Sequence, residues 1–316
     1  MAAAIALSTR GRGRTAPNPC VGAIVVRDGH VVGRGWTMPG GRPHAEAMAL
    51  EQAGDAARGA TLYTSLEPCA HLSPRGPTCT ASIIEAGIAR VVIGLRDPDP
   101  RTDGRGIAAL EDAGIDVATG VGAGNAERAM EGFLTRQKRG RAHVTLKLGT
   151  SLDGRIARPD GESRWITGGA ARAHGHLERA RHDAILVGRG TFDADTPRLD
   201  VRIDGLEDRA PMRLLLTRGA APAAWIAVSS PKAAVTQPQV DHLMVEGGAG
   251  AASAFLAADL VDRLLLYRAP ILIGEGRAAL GDIGLSSLAD AHGRWRLVDT
   301  RMLGSDRCEV YERVRD

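Results

Sequence analysis

Aromatic side chains are scarce: the 316-residue chain holds three Phe, four Trp and three Tyr. Burial must therefore rest on Ala, Val, Leu and Ile, and a stacking platform for single-stranded nucleic acid, which needs interleaved rings, is disfavoured. Charge of one sign is lacking too. Forty Lys and Arg face 37 Asp and Glu, a net of +3, without a polybasic arm or an acidic block. No apolar run approaches the roughly 20 residues that span a bilayer. The stretch from Met1 to Arg14 is Ala-rich, carries Arg10, Arg12 and Arg14 and has no acid. It faintly imitates a transit peptide, but no secretory h-region with a cleavage site is present, so an amphipathic first helix in a cytoplasmic protein is expected. The four cysteines, Cys20, Cys69, Cys79 and Cys308, are too few and too scattered for a disulfide framework. Cys69 and Cys79, close together in a Pro/Gly-rich stretch, point to a metal instead.

What remains is an ordinary globular composition, 44% hydrophobic and 24% charged, in a length that suggests two domains at roughly 150 residues each. Apolar runs alternate with helical patterns almost from end to end. Ala23–Val26 and Val31–Trp36, split by Asp28-Gly29, predict a hairpin. Helices are expected over Ala45–Ala53, Thr80–Ala86, Ile107–Ala113 and, with an Asn cap, Asn125–Lys138. Strands are expected over Ala60–Ser65, Arg90–Leu95 and Ile115–Thr119. The basic segment from Arg136 to Arg141 exhausts the helical pattern and marks a boundary, giving domains of 1–141 and 142–316. Beyond it, strands are expected over Val144–Leu148, Ala184–Val187, Arg213–Thr217, Ala224–Val228, His242–Val245, Arg263–Tyr267, Arg294–Asp299 and Cys308–Val314. Helices are expected over Ala170–Arg181 and Ala251–Ala257. About five strands and then about eight, each set mixed with helices, argue for two α/β domains.

The chemistry-bearing constellation of the front half is Pro43-His44-Ala45-Glu46, then Glu67-Pro68-Cys69-Ala70-His71, then Pro77-Thr78-Cys79. One imidazole and two thiolates, His44, Cys69 and Cys79, make three ligands for a tetrahedral zinc and leave the fourth position open, the catalytic pattern. Zinc held in this way lowers the pKa of a bound water toward about 7. His44 and Cys79 stand at expected helix starts, where the dipole favours a thiolate. Glu46, two residues after His44, is read as the proton carrier rather than a ligand. Singly, each residue would be a satisfied polar group or a small buried hydrophobe; together they match the zinc deaminase signature. His71 would close the site as a fourth ligand and is read as a pocket residue.

These motifs, with Asn18-Pro19 and the stretch Arg96-Asp97-Pro98-Asp99-Pro100 followed by Gly104-Arg105-Gly106, resemble the cytidine-deaminase-like domain of the bifunctional riboflavin-biosynthesis deaminase/reductases. The resemblance implies an α/β/α fold over about residues 1 to 141, with Asn18, His71 and Arg75 lining the pocket and Arg75 reaching the phosphate end of the substrate.

The rear half is less explicit. Glu246-Gly247-Gly248-Ala249-Gly250, between an expected strand and helix, could bring backbone against a phosphate at a helix N-terminus. It is not G-x-G-x-x-G, and any tight strand-to-helix turn favours Gly. Ile273-Gly274-Glu275-Gly276, Asp153-Gly154 and Asp160-Gly161 are turns by default. Leu146-Lys147-Leu148-Gly149-Thr150-Ser151-Leu152-Asp153-Gly154, Gly161-Glu162-Ser163-Arg164-Trp165-Ile166-Thr167, Asp195-Thr196-Pro197 with Leu199 and Arg202, and Glu246-Gly247-Gly248 resemble the same family's reductase domain over about residues 142 to 316. That domain has a dihydrofolate-reductase-like α/β fold. The resemblance implies NADPH contacts from Thr150, Trp165, Thr191 and Asp195, with Gly248, Ala249, Gly250, Ala251, Ala252, Ser253 and Ala254 holding the pyrophosphate. It implies substrate contacts from Ser163, Arg179, Leu199, Arg202 and Glu246; guanidinium forks suit a ribose phosphate. Lys147 lies beside this pocket.

The family further implies zinc and NADPH as cofactors, small pyrimidine ribosyl phosphates as substrates and a homo-oligomer, with neither nucleic acid nor membrane as partner. The alternative is an active deaminase joined to a reductase-like half that no longer catalyses. It is motivated by a short Arg202–Val245 stretch and by Thr217-Arg218 where the family pattern has an Asp.

Overall fold

The computed structural model describes residues 1–71 and 76–315. The chain divides into two units, Met1–Gly140 and Arg141–Asp316, each with its own core.

The front unit is built on β1 (Gly22–Arg27), β2 (His30–Trp36), β3 (Thr61–Leu66), β4 (Arg90–Leu95) and β5 (Asp116–Ala118), in the order β2-β1-β3-β4-β5. β1 is antiparallel to β2 and β3, whereas β3, β4 and β5 run parallel. Asp28 and Gly29 close the β1–β2 hairpin with φ of 50° and 77°, the double positive φ that a two-residue hairpin turn requires. The helices are α1 (Ala2–Ser8), α2 (Ala45–Ala53), α3 (Cys79–Glu85), α4 (Arg105–Asp112), α5 (Ala123–Ala129) and α6 (Glu131–Arg139).

Gly22 pairs with Trp36 and Ala23 with Gly35 across the hairpin, so Gly22 and Gly35 point to opposite faces. A Cβ on Gly22 would stand 2.0 Å from Ala4 O, and one on Gly35 2.0 Å from Ala45 O. α1 therefore lies on one face and α2 on the other, both in backbone contact with the sheet. With so few rings to fill the layers, Ala and Gly let the helices come close instead.

In the rear unit the strands are β6 (His143–Thr150), β7 (Arg155–Ala157), β8 (Ala184–Gly188), β9 (Met212–Leu216), β10 (Ile226–Val228), β11 (His242–Glu246), β12 (Arg263–Arg268), β13 (Arg277–Ala278), β14 (Trp295–Leu303) and β15 (Asp306–Arg313). The main sheet has the order β10-β9-β8-β11-β6-β12-β15-β14, parallel from β10 to β12 and antiparallel beyond. β7 and β13 form a separate pair. The helices are α7 (Gly169–Arg179), α8 (Arg189–Asp195), α9 (Pro231–Val235) and α10 (Ala249–Ala257). In β8, Ala184 and Leu186 enter one core cluster while Ile185 and Val187 enter another. Burial on both faces explains its unbroken apolar run.

The expected elements are present, most within a residue or two, and the five- and eight-stranded sheets match the strand counts read from the sequence. Three differences have physical causes. The expected Asn125–Lys138 helix is two helices, broken at Met130, whose side chain is fully buried and whose N–H is shared between Ala126 O and Glu127 O. Its cap is Gly122 rather than Asn125, because the left-handed Gly122 starts the helix two residues early. α8 has no buried residue, so no apolar period announces it.

Candidate active sites

In the front unit the three expected ligands converge. His44 caps the start of α2 in extended conformation, and Cys79 is the first residue of α3, after Thr78, whose hydroxyl accepts from Ala81 N–H. Cys69 follows β3 on a loop held to that same helix start: Cys79 N–H donates to Cys69 Sγ at 3.3 Å and Thr80 N–H to Cys69 O at 3.3 Å. His44 Nδ1 lies 3.2 Å from Cys79 Sγ and 3.6 Å from Cys69 Sγ. A tetrahedral zinc, with bonds of about 2.3 Å to sulfur and about 2.0–2.1 Å to nitrogen, would separate those atoms by about 3.6 Å. The donor set thus fits zinc in chemistry and in spacing.

Glu46, 3% exposed, sits in the first turn of α2. Its Oε1 is 3.4 Å from the Thr64 hydroxyl, and its Oε2 is 3.5 Å from Cys79 Sγ. Burial pushes the Glu46 carboxyl up from its ordinary value, the direction that suits a group that must hold a proton and then give it back. The Cys79 thiol donates to Cys69, which holds the Cys69 thiol down to about 4 against the cost of burial, and His44 adds to the effect. That shared bond, with burial, pushes Cys79 up. A zinc held by these three residues would take the place of these protons.

Of the pocket residues, Asn18 lies against the loop leading to His44: its amide nitrogen is 1.8 Å from where a Gly41 Cβ would stand. His71 Nδ1 is 3.3 Å from the Thr102 hydroxyl. Arg75 lies outside the described residues. Cys20 is packed in the core with its thiol on Ala129 O at 3.3 Å. Buried Asp97, held up to about 7 chiefly by burial, was not singled out for function from the sequence. Its motif gave a family signal without a role.

The rear unit opens a cleft of about 1160 Å³ at the carboxyl ends of β6, β8 and β11, where the strand order doubles back and ligands of open α/β sheets bind. α7 presents Arg172, His176 and Arg179, spaced by four and three, and α8 presents Gly190, Thr191, Ala194 and Asp195, the spacing of one helical face. Trp165, Ser163, Leu199, Arg202, Lys147 and the Glu246–Ala251 turn complete the wall. Trp165 is 66% exposed, with the Arg172 guanidinium 4.5 Å above its ring. Gly248 N–H donates to the Thr191 hydroxyl at 2.7 Å, locking the start of α10 against α8. The first-turn residues Ala249, Gly250 and Ala251 of α10 line the cleft beside two expected cofactor residues, Thr191 and Asp195, and a helix start with little side chain in the way fits the phosphates of a dinucleotide. Thr150, Ala252, Ser253 and Ala254 do not line the cleft. Thr150 and Ala252 are buried, and the Ser253 hydroxyl is occupied by Gly281 N–H at 2.8 Å.

Two expected substrate contacts prove to be partners of each other. Arg179 donates a fork to Glu246, Nε to Oε1 and Nη2 to Oε2, both at 2.8 Å, and its Nη1 donates to Asp200 O at 3.0 Å. Lys147 Nζ approaches Glu246 Oε2 at 4.0 Å. Burial pushes the Glu246 carboxyl up, but Lys147 and Arg179 outweigh it and hold it down to about 2. Arg198 and Arg202 share Asp200 at 2.9 Å and 3.3 Å. In the short segment after β9, the Thr217 hydroxyl accepts from Gly219 N–H at 3.1 Å and closes its own turn. Arg172, Arg198 and Arg277 also line the cleft. In so Arg-rich a chain no periodicity set them apart.

Two family models match the chain: the cytidine and deoxycytidylate deaminase zinc-binding region over residues 1–95, and the RibD C-terminal domain over residues 142–308. Riboflavin biosynthesis protein RibD of Escherichia coli K12 is 38% identical, with 98% of this chain and 97% of that one covered. That of Aquifex aeolicus is 37% identical, with 92% and 91% covered. Among solved structures, Acinetobacter baumannii RibD superposes with a TM-score of 0.87 at 34% identity, covering 99% and 98%. The Thermotoga maritima diaminohydroxyphosphoribosylaminopyrimidine deaminase/5-amino-6-(5-phosphoribosylamino)uracil reductase gives 0.88 at 32%, covering 99% and 97%. The two α/β folds are those of a cytidine-deaminase-like domain and a dihydrofolate-reductase-like domain.

Proposed function

The chain belongs to the RibD family of bifunctional, zinc-binding and NADPH-using riboflavin-biosynthesis enzymes, and from that premise we propose two consecutive reactions on one ribose-phosphate scaffold. Residues 1–141 would deaminate 2,5-diamino-6-(5-phosphoribosylamino)pyrimidin-4-one. Residues 142–316 would reduce the ribosyl group of the resulting 5-amino-6-(5-phosphoribosylamino)uracil to ribityl. The observation that carries this reading is the convergence of His44, Cys69 and Cys79 beside buried Glu46.

His44, Cys69 and Cys79 would hold the zinc, which when bound supplies an acidified water as nucleophile. Glu46 would carry the two protons of the attacking water in turn, the first to the ring nitrogen and the second to the departing amine, so that a C–O bond forms, the C–N bond breaks and ammonia leaves. Asn18, His71 and Arg75 would line the pocket. In the rear unit, the backbone of Gly248–Ala251 would receive the cofactor pyrophosphate, with Thr191, Asp195 and Trp165 beside it. NADPH, when bound, supplies the hydride. Glu246, kept ionised by Arg179 and Lys147, accepts from ribose hydroxyls, and Arg202 meets the phosphate while Ser163 and Leu199 shape the pocket. The open cleft favours a working reductase over the non-catalytic alternative.

We further infer a cytoplasmic homo-oligomer that takes small pyrimidine ribosyl phosphates and neither nucleic acid nor membrane. The net charge of +3, without a polybasic arm, argues against a nucleic-acid partner, and among the described residues no helix is long and apolar enough to cross a membrane.

The test gives zinc-loaded protein the diaminopyrimidine ribosyl phosphate with and without NADPH, and follows ammonia and NADPH together. Ammonia in both samples with substrate-dependent oxidation is expected. Ammonia without oxidation overturns the reductase assignment, and no ammonia overturns the substrate.

A further inference from the structure

The stretch Arg96-Asp97-Pro98-Asp99-Pro100 with Gly104-Arg105-Gly106 has no role in the reactions above, yet it is wrapped around one buried carboxylate. Glu67, 2% exposed, accepts four backbone N–H groups. Its Oε2 takes Asp97 at 3.1 Å and Gly104 at 3.0 Å, and its Oε1 takes Gly106 at 2.9 Å and Ile107 at 3.2 Å. Gly106 and Ile107 belong to the first turn of α4, whose own cap, Gly104, has no side chain to offer. Glu67 therefore caps α4 from another part of the chain. Gly106 allows the approach, since a Cβ there would stand 2.2 Å from Pro68 O.

Both ends of this tie reach the deaminase site. Glu67 precedes the ligand Cys69 by two residues. The captured loop carries buried Thr102, whose hydroxyl lies 3.3 Å from Nδ1 of the pocket residue His71. We propose that Glu67 is a positioning residue: it clamps the Arg96–Gly106 loop to the ligand loop and, through Thr102 and His71, sets the pocket wall against which the pyrimidine binds. The proposal rests on the deaminase reading. A carboxylate is needed because both oxygens must accept; an amide would turn two donors toward N–H groups.

The test is Glu67→Gln in the full chain, with zinc content, deaminase KM and kcat, and NADPH-dependent reduction of the uracil intermediate measured together. Zinc is expected to stay at parity with wild type and reduction to be unchanged, while KM for the diaminopyrimidine rises about tenfold with kcat nearly constant. Thr102→Val should reproduce the KM rise, and the double variant should add nothing to it. Amide exchange at Gly104, Gly106 and Ile107 should accelerate in Glu67→Gln. An unchanged KM, or loss of zinc and kcat together at constant KM, would show a structural tie only and overturn the proposal. No ammonia from wild type would overturn the deaminase reading, and the proposal with it.

Discussion

Glu46 is a buried carboxyl and Glu246 a half-buried one, and their surroundings send them in opposite directions. Around Glu46 desolvation wins, and the carboxyl sits above its ordinary value. On the reading of Glu46 as proton carrier rather than ligand, Glu46→Gln should keep the metal and lose about 10²- to 10⁴-fold in ammonia release, measured beside zinc content. Around Glu246 two cations win, and the carboxyl falls from an ordinary 4.5 to about 2. A carboxyl depressed in the folded state adds stability above its unfolded pKa and loses it as pH falls through the folded one. Urea unfolding from pH 5 to pH 2 should therefore show a loss of stability that Glu246→Gln flattens. Glu246→Ala, which strands Arg179, should cost about 3–5 kcal/mol. The zinc triplet was legible in the sequence because its residue types are rare and sit at helix starts. The Arg179–Glu246 fork was not: 67 residues separate its ends, and each residue alone read as a free hand for substrate.

α2 presents both His44 and Glu46, and it reaches its place by backbone contact. A Cβ on Gly33 would stand 2.0 Å from Ala49 O and one on Gly35 2.0 Å from Ala45 O. Gly35→Ala must push the helix outward, at a cost of about 1–3 kcal/mol. Weaker zinc retention in a chelator competition and a lower Tm are expected together. Elements with an apolar period and a stop signal, such as α2 ending at Gly54, could be placed from the sequence to the residue. α8 could not, since it has no fully buried residue and sets a single half-buried ring, Phe192, against a core cluster. The two- and three-residue strands β13 and β7 are too short to carry any period.

Two units with separate cores carry the two sites, each at the carboxyl ends of parallel strands. Removing zinc with a chelator should therefore abolish ammonia release while the uracil intermediate is still reduced at the wild-type rate, followed as NADPH oxidation. The doubling of α/β pattern on either side of the Arg136–Arg141 segment was readable because each half repeats its own alternation of strand and helix. The cleft was legible only through the family resemblance and not through periodicity, because it is made of residues between Lys147 and Arg277 that meet only once the sheet has formed. The scarcity of rings also has an optical consequence. Of the four tryptophans, Trp165 alone among the described residues lines the cleft, largely open to solvent beneath Arg172. Its emission is thus a built-in reporter: docking of a dinucleotide beside the indole should quench and shift it, Trp165→Phe should silence the change, and occupancy becomes visible by fluorescence without any turnover.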